Sequence, residues 1–457
     1  MFKKILIVNR GEIAVRILRS ARELGIKTAV IYSEADKEGL PVILADEAYL
    51  VGPASALKSY LNMQKIIEIA KECGAEAVHP GYGFLAENAE FAKACKDNGL
   101  TFIGPDVKTM KLMEDKFLAR QYVARLGVPI LPGILIENIT EKKEEILEQC
   151  EKMGYPLLLK TNFGGGGKGI RVIRNEEELN TNLELSTKEA KMYFGRPEIY
   201  LEKYLERAKH IEVQFLRDKF GNIIVFQERE CSLQRRYQKL IEETPAVIVD
   251  ERLRQKLQEY TTTIVEETDY HGAGTVEFLV DFNGKAYFLE INARLQVEHP
   301  VTEMVYRLDL VKEQIKIAAG EQLKNTCLKP IGWAIEARII AEDWQENFKP
   351  SIGKIGELHL PGGPEVRVDT ALKTNMEITP YYDSLLAKVI AWGNDREAAR
   401  LKLLRAVQEM QVTGIKTNLG LIAELLQLSE FLQGEYTTRT VENYLNSLFI
   451  SKNVQGR

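Results

Sequence analysis

Two acids on either side of a turn carry the clearest chemistry in this sequence. In residues 275–300, TVEFLVDFNGKAYFLEINARLQVEHP, the pair Asn283-Gly284 is a strong hairpin signal, because a type I′ turn needs two residues that tolerate positive φ. Val276, Phe278 and Val280 alternate before the turn, and Tyr287, Leu289 and Ile291 alternate after it. With Asn283 and Gly284 as the two loop residues, Phe282 pairs with Lys285, and counting outward sets Glu277 opposite Glu290. Facing carboxylates repel, and a divalent cation between them reverses the sign. The second strand then reads Glu290, Asn292, Arg294, Gln296 and Glu298 at every other position, with Ile291, Ala293, Leu295 and Val297 between. In an extended chain this period puts all five polar groups on one face. Alternation alone also fits a half-buried strand with a solvated face; the opposed acids favour the floor of an active site. A strand break near Asn292 or Arg294 would confine the common face to the neighbourhood of Glu290.

Three further stretches hold chemistry-bearing residues. Residues 161–169, TNFGGGGKG, follow a strand-like run and precede another, Arg171-Val172-Ile173. A phosphate-binding P-loop needs Ser or Thr after its Lys and then a helix; here Gly169 follows Lys168, so a flexible hairpin loop is expected. Exposed amides beside Lys168 suit a phosphate, and a plain surface connector fits the same residues. Residues 231–239, CSLQRRYQK, put Arg235, Arg236 and Lys239 among the last five positions, either as a solvated or polyanion-binding face or as a site for a small anion. In residues 79–83, HPGYG, two glycines flank Tyr82 and allow close backbone approach to a ligand; a tight turn is the simpler alternative.

The elements that position these residues follow from periodicity. Residues 4–32 read strand, helix, strand, with Ile13, Ile17, Leu18, Ala21 and Leu24 on one helical face and Gly25 as a stop. This is a βαβ unit of a parallel sheet. Only Gly11 stands in its first turn, so the dinucleotide fingerprint is absent. A helix near 60–73, a strand at 77–79, a helix near 91–98 and a strand at 101–103 complete the first region. A helix is expected over 107–130, and strands at 157–160, 198–205 and 210–215. After Leu323 comes an α+β region, with strands at 333–339, 357–360, 366–368 and 385–392. Its helices are expected at 398–410, after capping-box spacing in 394–397, and at 422–428. It is expected to close on the rest.

Composition narrows the class. With 457 residues, two to four domains are expected. A hydrophobic content of 45% permits ordinary cores, and a net charge of −5 argues against general nucleic-acid binding. The five cysteines are scattered and form no CxxC pair, which reads as reduced thiols in a cytoplasmic protein. Asn9, Arg10 and Glu12 interrupt the N-terminal apolar run, so no signal peptide is expected, and no run approaches the ~20 residues of a membrane span.

Six stretches in order, NRGEIAVRI (9–17), HPGYGFLAEN (79–88), GGGGKG (164–169), ERECSLQRR (228–236), EINARLQVEHPVTEM (290–304) and ITPYYDSLLAKV (378–389), resemble the biotin carboxylase component of biotin-dependent carboxylases, members of the ATP-grasp superfamily. The resemblance implies an α/β and α+β architecture. It has a Rossmann-like N-terminal domain over 1–113 and an ATP-grasp domain over 114–323, with a mobile glycine-rich lid at about 132–203. A C-terminal α+β domain covers 324–447. It implies that ATP activates bicarbonate as carboxyphosphate and that biotin on a carrier is then carboxylated, in an enzyme of acetyl-CoA or pyruvate carboxylase type. Glu277 and Glu290, with Asn292 beside them, would hold two Mg2+ or Mn2+ ions. ATP would meet Lys116, Lys160, Gly165, Gly166, Gly167, Glu202, Lys203, Leu205, His210, Gln234, Tyr237, Glu277, Leu279 and Glu290. Bicarbonate would meet Lys239, Arg294, Gln296, Val297 and Glu298, with Glu298 as the base. Arg338 and Tyr82 would face biotin. The catalytic set is then Glu298, Arg294, Arg338 and Lys239.

The sequence departs from the family pattern at four places. Tyr237 and Trp333 stand where histidine is usual, Ile340 where asparagine is usual, and histidine is more usual than proline near Leu40-Pro41. No Ala-Met-Lys-Met biotinylation stretch occurs before Arg457, so a free-standing subunit is expected, working with a biotin carboxyl carrier protein and a carboxyltransferase subunit. The resemblance also implies a homodimer, with neither nucleic acid nor membrane as partner. Another ATP-grasp ligase acting through an acyl phosphate, or a non-catalytic scaffold, is the competing expectation.

Overall fold

The computed structural model describes residues 1–136, 143–161, 170–194, 198–324 and 327–455. The apolar run after the N-terminus forms β1 (Lys4–Ile7), and α1 (Gly11–Glu23) returns the chain to β2 (Lys27–Ser33). With β3 (Glu47–Gly52), β4 (Ala77–His79) and β5 (Thr101–Phe102) they build a parallel sheet in the order β3-β2-β1-β4-β5. β3 escaped the sequence reading because it is an edge strand, mostly half-buried, with no clean alternation. The helix expected over 107–130 is two helices, Val107–Glu114 and α2 (Lys116–Arg125). The chain breaks at Asp115, whose carboxylate caps α2 by accepting from the Leu118 amide.

A small antiparallel sheet follows, with β6 (Gly133–Ile136), β7 (Leu157–Thr161), β8 (Arg171–Ile173) and β9 (Ile199–Lys203) in the order β6-β9-β7-β8. β7 and β8 pair as the expected hairpin. Their glycine-rich connection, with Gly165, Gly166, Gly167 and Lys168, lies outside the described residues.

The site rests on the largest sheet. Its strands are β10 (Ala208–Arg217), β11 (Ile223–Val225), β12 (Arg229–Arg235), β13 (Gln238–Thr244), β14 (Gly272–Asp281), β15 (Ala286–Asn292), β16 (Trp333–Ile340), β17 (Val366–Thr370) and β18 (Leu385–Gly393). The order is β15-β14-β10-β12-β13-β16-β18-β17, with β11 beside β10. The sheet runs unbroken past residue 324: β13 and β16 pair from Ile241↔Ala337 to Thr244↔Ala334. The region after Leu323 therefore extends this sheet instead of closing on it as a separate layer, and its core includes Leu233, Leu240 and Ile241 from before the boundary. Helix α3 (His299–Tyr306) follows the site loop. Helix α4 (Arg396–Glu409) starts two residues earlier than expected, capped by Asp395 in place of a box from Asn394.

The β14–β15 hairpin corrects the sequence argument while keeping its result. Its loop has three residues, since the Asp281 amide donates to the Lys285 carbonyl and Gly284 alone of the loop takes positive φ, at +73°. Asp281 Oδ1 accepts the amides of Asn283 and Lys285, which favours the longer loop over a type I′ turn. The register is thereby one residue off the expected one, with Phe278 opposite Phe288. An irregularity between Glu277 and Phe278 restores it, and Glu277 does face Glu290. The extra residue also changes the phase of β15, so Ala286 and Phe288, not Tyr287 and Leu289, fill the core before Ile291 rejoins it.

Candidate active site

β10, β12, β13, β14 and β16 run side by side, so alternate residues on each deliver polar groups to one place. Lys239, entering from β13, is the centre. Its Nζ donates to Glu298 Oε1 at 2.6 Å, Glu212 Oε2 at 2.7 Å and Glu277 Oε1 at 3.1 Å. Burial works against the ammonium charge, but the three carboxylates outweigh it and push the Lys239 pKa well up. Glu277 also accepts from Asn292 Nδ2 at 2.7 Å and Gln296 Nε2 at 2.9 Å, and its Oε2 lies 2.6 Å from His210 Nε2. Burial would raise its pKa; Lys239 and His210 hold it below the ordinary carboxylate range instead.

β15 ends at Asn292, so the five-residue polar face of the sequence reading is lost as a strand. The groups still converge, because the loop folds back. Arg294 donates to Asn292 Oδ1 at 2.8 Å and Gln296 Oε1 at 3.0 Å, and its Nε reaches Glu87 of the first region at 2.9 Å. Glu298, wholly buried before α3, receives Lys239 on one oxygen and Arg338 Nη2 on the other at 2.9 Å. Burial favours its neutral form, yet Lys239, Arg338 and Arg229 draw its pKa well below the usual range. The Nε of Arg338 donates to Glu242 on β13. Burial raises Glu242 to about 7, with Arg338 opposing.

On the other side of Glu277 lie the residues expected at a nucleotide. Leu279 on β14 pairs with His210 and Tyr287. Gln234 Nε2 contacts His210 Nδ1 at 3.2 Å. Lys116 Nζ stands 3.7 Å from Glu290. Lys160 donates to Glu202 at 2.7 Å, and Arg120 meets the same carboxylate at 3.1 Å. Lys203 spends its ammonium on the Gly154 and Tyr155 carbonyls just before β7, and its amide donates to the Pro132 carbonyl. Leu205 lies two residues beyond β9. Of the cation run, only Lys239 enters the site. Arg235 stacks over Phe348 at 3.5 Å, and Arg236 reaches Asn347. Arg236 and Tyr237 form the β12–β13 turn, both at positive φ (47° and 64°). The carbonyls of Pro80 and Tyr82 accept from Asn9 Nδ2, which ties the HPGYG turn to the connection between β1 and α1.

The donor set suits a hard divalent cation. Glu277 and Glu290 offer ionisable oxygens across one ladder, and Asn292 adds an amide oxygen. Among the described residues, the clusters with ligand atoms within 4.8 Å of one another are His210, Glu212, Glu277 and Glu212, Cys231, Glu298. Glu290 belongs to neither, and Lys239 lies among both. Glu212, Glu242, Arg229 and Glu87 were missed by the sequence reading. The available signal was the polar phase of runs such as HIEVQF and KLIEET, in strands that turn out to be buried on both faces. The unusual Trp333 donates its indole N–H to Glu243 at 2.7 Å. Ile340 sits in the core while Asn418 bonds its amide and the Arg338 carbonyl.

Fold and site together define an ATP-grasp enzyme. Three family models cover the chain in order: the biotin carboxylase N-terminal domain over residues 1–110, the ATP-binding domain of the carbamoyl-phosphate synthase L chain over 115–326, and the biotin carboxylase C-terminal domain over 336–443. Biotin carboxylase 1 of Bacillus subtilis is 48% identical, over 97% of this chain and 99% of its own. The 2-oxoglutarate carboxylase small subunit of Hydrogenobacter thermophilus is 46% identical, over 97% and 94%. The crystal structure of the biotin carboxylase domain dimer of that enzyme, in complex with MgADP, ADP and bicarbonate, superposes with a TM-score of 0.93 at 46% identity, covering 97% of this chain and 98% of that one. The chain belongs to the biotin carboxylase family.

Proposed function

We propose that this chain carries out the first half-reaction of a biotin-dependent carboxylase, with ATP, bicarbonate and carrier-held biotin as substrates. The observation that carries the reading is the single ammonium of Lys239 among Glu212, Glu277 and Glu298, with Arg338 on the far oxygen of Glu298. A cluster this charged and this buried costs folding energy, and chemistry at the site is the return this reading gives it.

Glu298 takes the proton of bicarbonate, and the resulting oxyanion attacks the γ-phosphorus of ATP, releasing ADP and leaving carboxyphosphate. With both its oxygens held by cations, Glu298 is a weak base. Bicarbonate lodged against Arg294, Gln296 and Lys239 draws the Lys239 ammonium to itself, and the basicity of Glu298 rises as it loses that donor. On this reading Lys116, Lys160, Glu202, Lys203, Leu205, His210, Gln234, Tyr237 and Leu279 are assigned to the nucleotide, together with Gly165, Gly166 and Gly167, which lie outside the described residues. Glu277, Glu290 and Asn292 would hold Mg2+ or Mn2+, which when bound would neutralise charge on the phosphates. Arg338 stabilises negative charge on the ureido oxygen of biotin, beside Tyr82, while N1′ gives its proton to the departing phosphate and takes the carboxyl group. Arg338 cannot itself serve as a base, because its guanidinium is always charged.

A carrier protein and a carboxyltransferase complete the enzyme, and the chain works as a cytoplasmic homodimer. A dimer in the Hydrogenobacter relative, scattered free cysteines, and the lack among described residues of a helix long and apolar enough to cross a membrane support this. The test uses free biotin and labelled bicarbonate. Glu298→Gln is expected to cut bicarbonate-dependent ATP cleavage about a thousandfold. Arg338→Ala is expected to raise the ratio of phosphate released to carboxybiotin formed. If Arg338→Ala lowers both products equally, Arg338 acts in the first step and the division of labour is wrong.

A further inference from the structure

The loop bearing Gln296, Val297 and Glu298 is held from behind by two groups that the reaction above does not use. Lys388 on β18, wholly buried, donates from Nζ to the Val297 carbonyl at 2.8 Å. His299, also wholly buried, lies with Nδ1 2.8 Å from the Gln296 carbonyl; a carbonyl only accepts, so Nδ1 carries the proton. Burial, with the neighbouring cations of Lys388 and Arg16, keeps this histidine neutral.

These tethers fix the direction of the amides. In a trans peptide the C=O and the N–H that follows it point opposite ways. The cis bonds among the described residues lie elsewhere, at Tyr155-Pro156 and Thr244-Pro245. Anchoring the Gln296 carbonyl therefore turns the Val297 N–H away from His299, and anchoring the Val297 carbonyl turns the Glu298 N–H away from Lys388. Neither amide donates to a protein acceptor among the described residues. Two successive free N–H groups beside a glutamine amide and an arginine make a seat for a small anion.

The charge of Lys388 has its own support. Its Nζ lies 3.3 Å from Glu12, in the first turn of α1, and 3.9 Å from Asp369 on β17. Neither oxygen of Glu12 has a hydrogen-bond partner, so Glu12, ionised above about pH 7, supplies counter-charge there and little direction. We propose that Lys388 is a positioning residue for bicarbonate: with Glu12 as its counter-charge, it holds residues 296–298 so that the Val297 and Glu298 amides face the anion. The inference rests on bicarbonate lying beside Arg294, Gln296 and Glu298, as argued above.

A purely structural lysine, joining β18 to α1, would affect every substrate alike when removed. The test is therefore the split between Michaelis constants. Lys388→Met is expected to raise the KM for bicarbonate about tenfold, the worth of one charge-assisted hydrogen bond, while the KM for ATP stays within about twofold. Should the single variant fail to fold, with Glu12 and Asp369 left buried without their cation, Glu12→Gln/Lys388→Met removes one charge of each sign and is read the same way. Equal rises in both constants, or an unchanged bicarbonate KM, overturn the inference. Gln296→Ala separates the two levels of the argument. If it leaves the bicarbonate KM unchanged, the anion is not at this loop and the functional reading fails first. If it raises that KM and the Lys388 variants do not, the role of Lys388 alone is refuted.

Discussion

Lys239→Met removes the cation that three carboxylates share and leaves a side chain of similar length. Breaking a buried pair from one side costs about 3–5 kcal/mol. Here the loss falls near the lower end, because each acid keeps other partners: Arg338 on Glu298, Arg229 on Glu212, and His210, Asn292 and Gln296 on Glu277. For a chain of 457 residues, unfolding entropy near the midpoint is about 1 kcal/mol/K, so a cost of about 3 kcal/mol lowers Tm by about 3 °C. The vacated position is lined by carboxylate oxygens and His210, so it should take up a divalent ion without nucleotide. At Mg2+ about a hundredfold above its dissociation constant, binding returns about 3 kcal/mol. Thermal melts of wild type and variant, each in EDTA and in Mg2+, read both effects. The variant is expected to melt lower in EDTA and recover in Mg2+, with wild type moving little. A variant as stable as wild type in EDTA, or a wild type that gains as much from Mg2+, would refute the reasoning that Lys239 holds the charge balance of this cluster.

Two other outcomes follow from nearby contacts. Asn9→Ala deletes the donors to the Pro80 and Tyr82 carbonyls; at about 1 kcal/mol each, the KM for free biotin should rise about tenfold or more with ATP unaffected, and steady-state kinetics showing no change would release Tyr82 from this role. Glu12 has a folded pKa raised by burial to about 7 from 4.5. The folded state thus keeps a proton that the unfolded chain sheds, and stability falls as pH rises from about 4.5 through about 7, by up to about 3 kcal/mol. Glu12→Gln should lack this slope, so denaturation curves from pH 5 to 8 that fall in parallel for both proteins would contradict it.

Much of the site could be read from residue order, for uneven reasons. The pairing of Glu277 with Glu290 is real, but a three-residue loop and a bulge produce it, two departures of opposite sign that Asn283-Gly284 does not announce. The convergence of Arg294, Gln296 and Glu298 was expected from strand period and arises from a folded loop beyond β15. Glu212 and Glu242 were invisible as site residues because alternation distinguishes two faces of a strand, not buried from solvated; β10 is buried on both. Nor does sequence order reveal that β16 joins β13, since pairing across about 90 residues depends on the tertiary fold. Lys388 and His299 stood in quoted motifs, yet their partners are backbone carbonyls, which carry no residue-type signal.

The unbroken hydrogen bonding from β15 to β17 has a mechanical consequence. Glu277, Lys239 and Arg338 ride on strands of one continuous ladder, so the spacing of their backbones is set by sheet geometry, and exchange of partners among them falls to the side chains. Lys160 and Glu202 belong to the separate four-stranded sheet, whose own ladder ends at its edges. On the function proposed above, a displacement that admits and releases nucleotide is expected of that smaller sheet. On that reading, a short-lived carboxyl group is passed over a backbone floor that keeps its spacing from one turnover to the next.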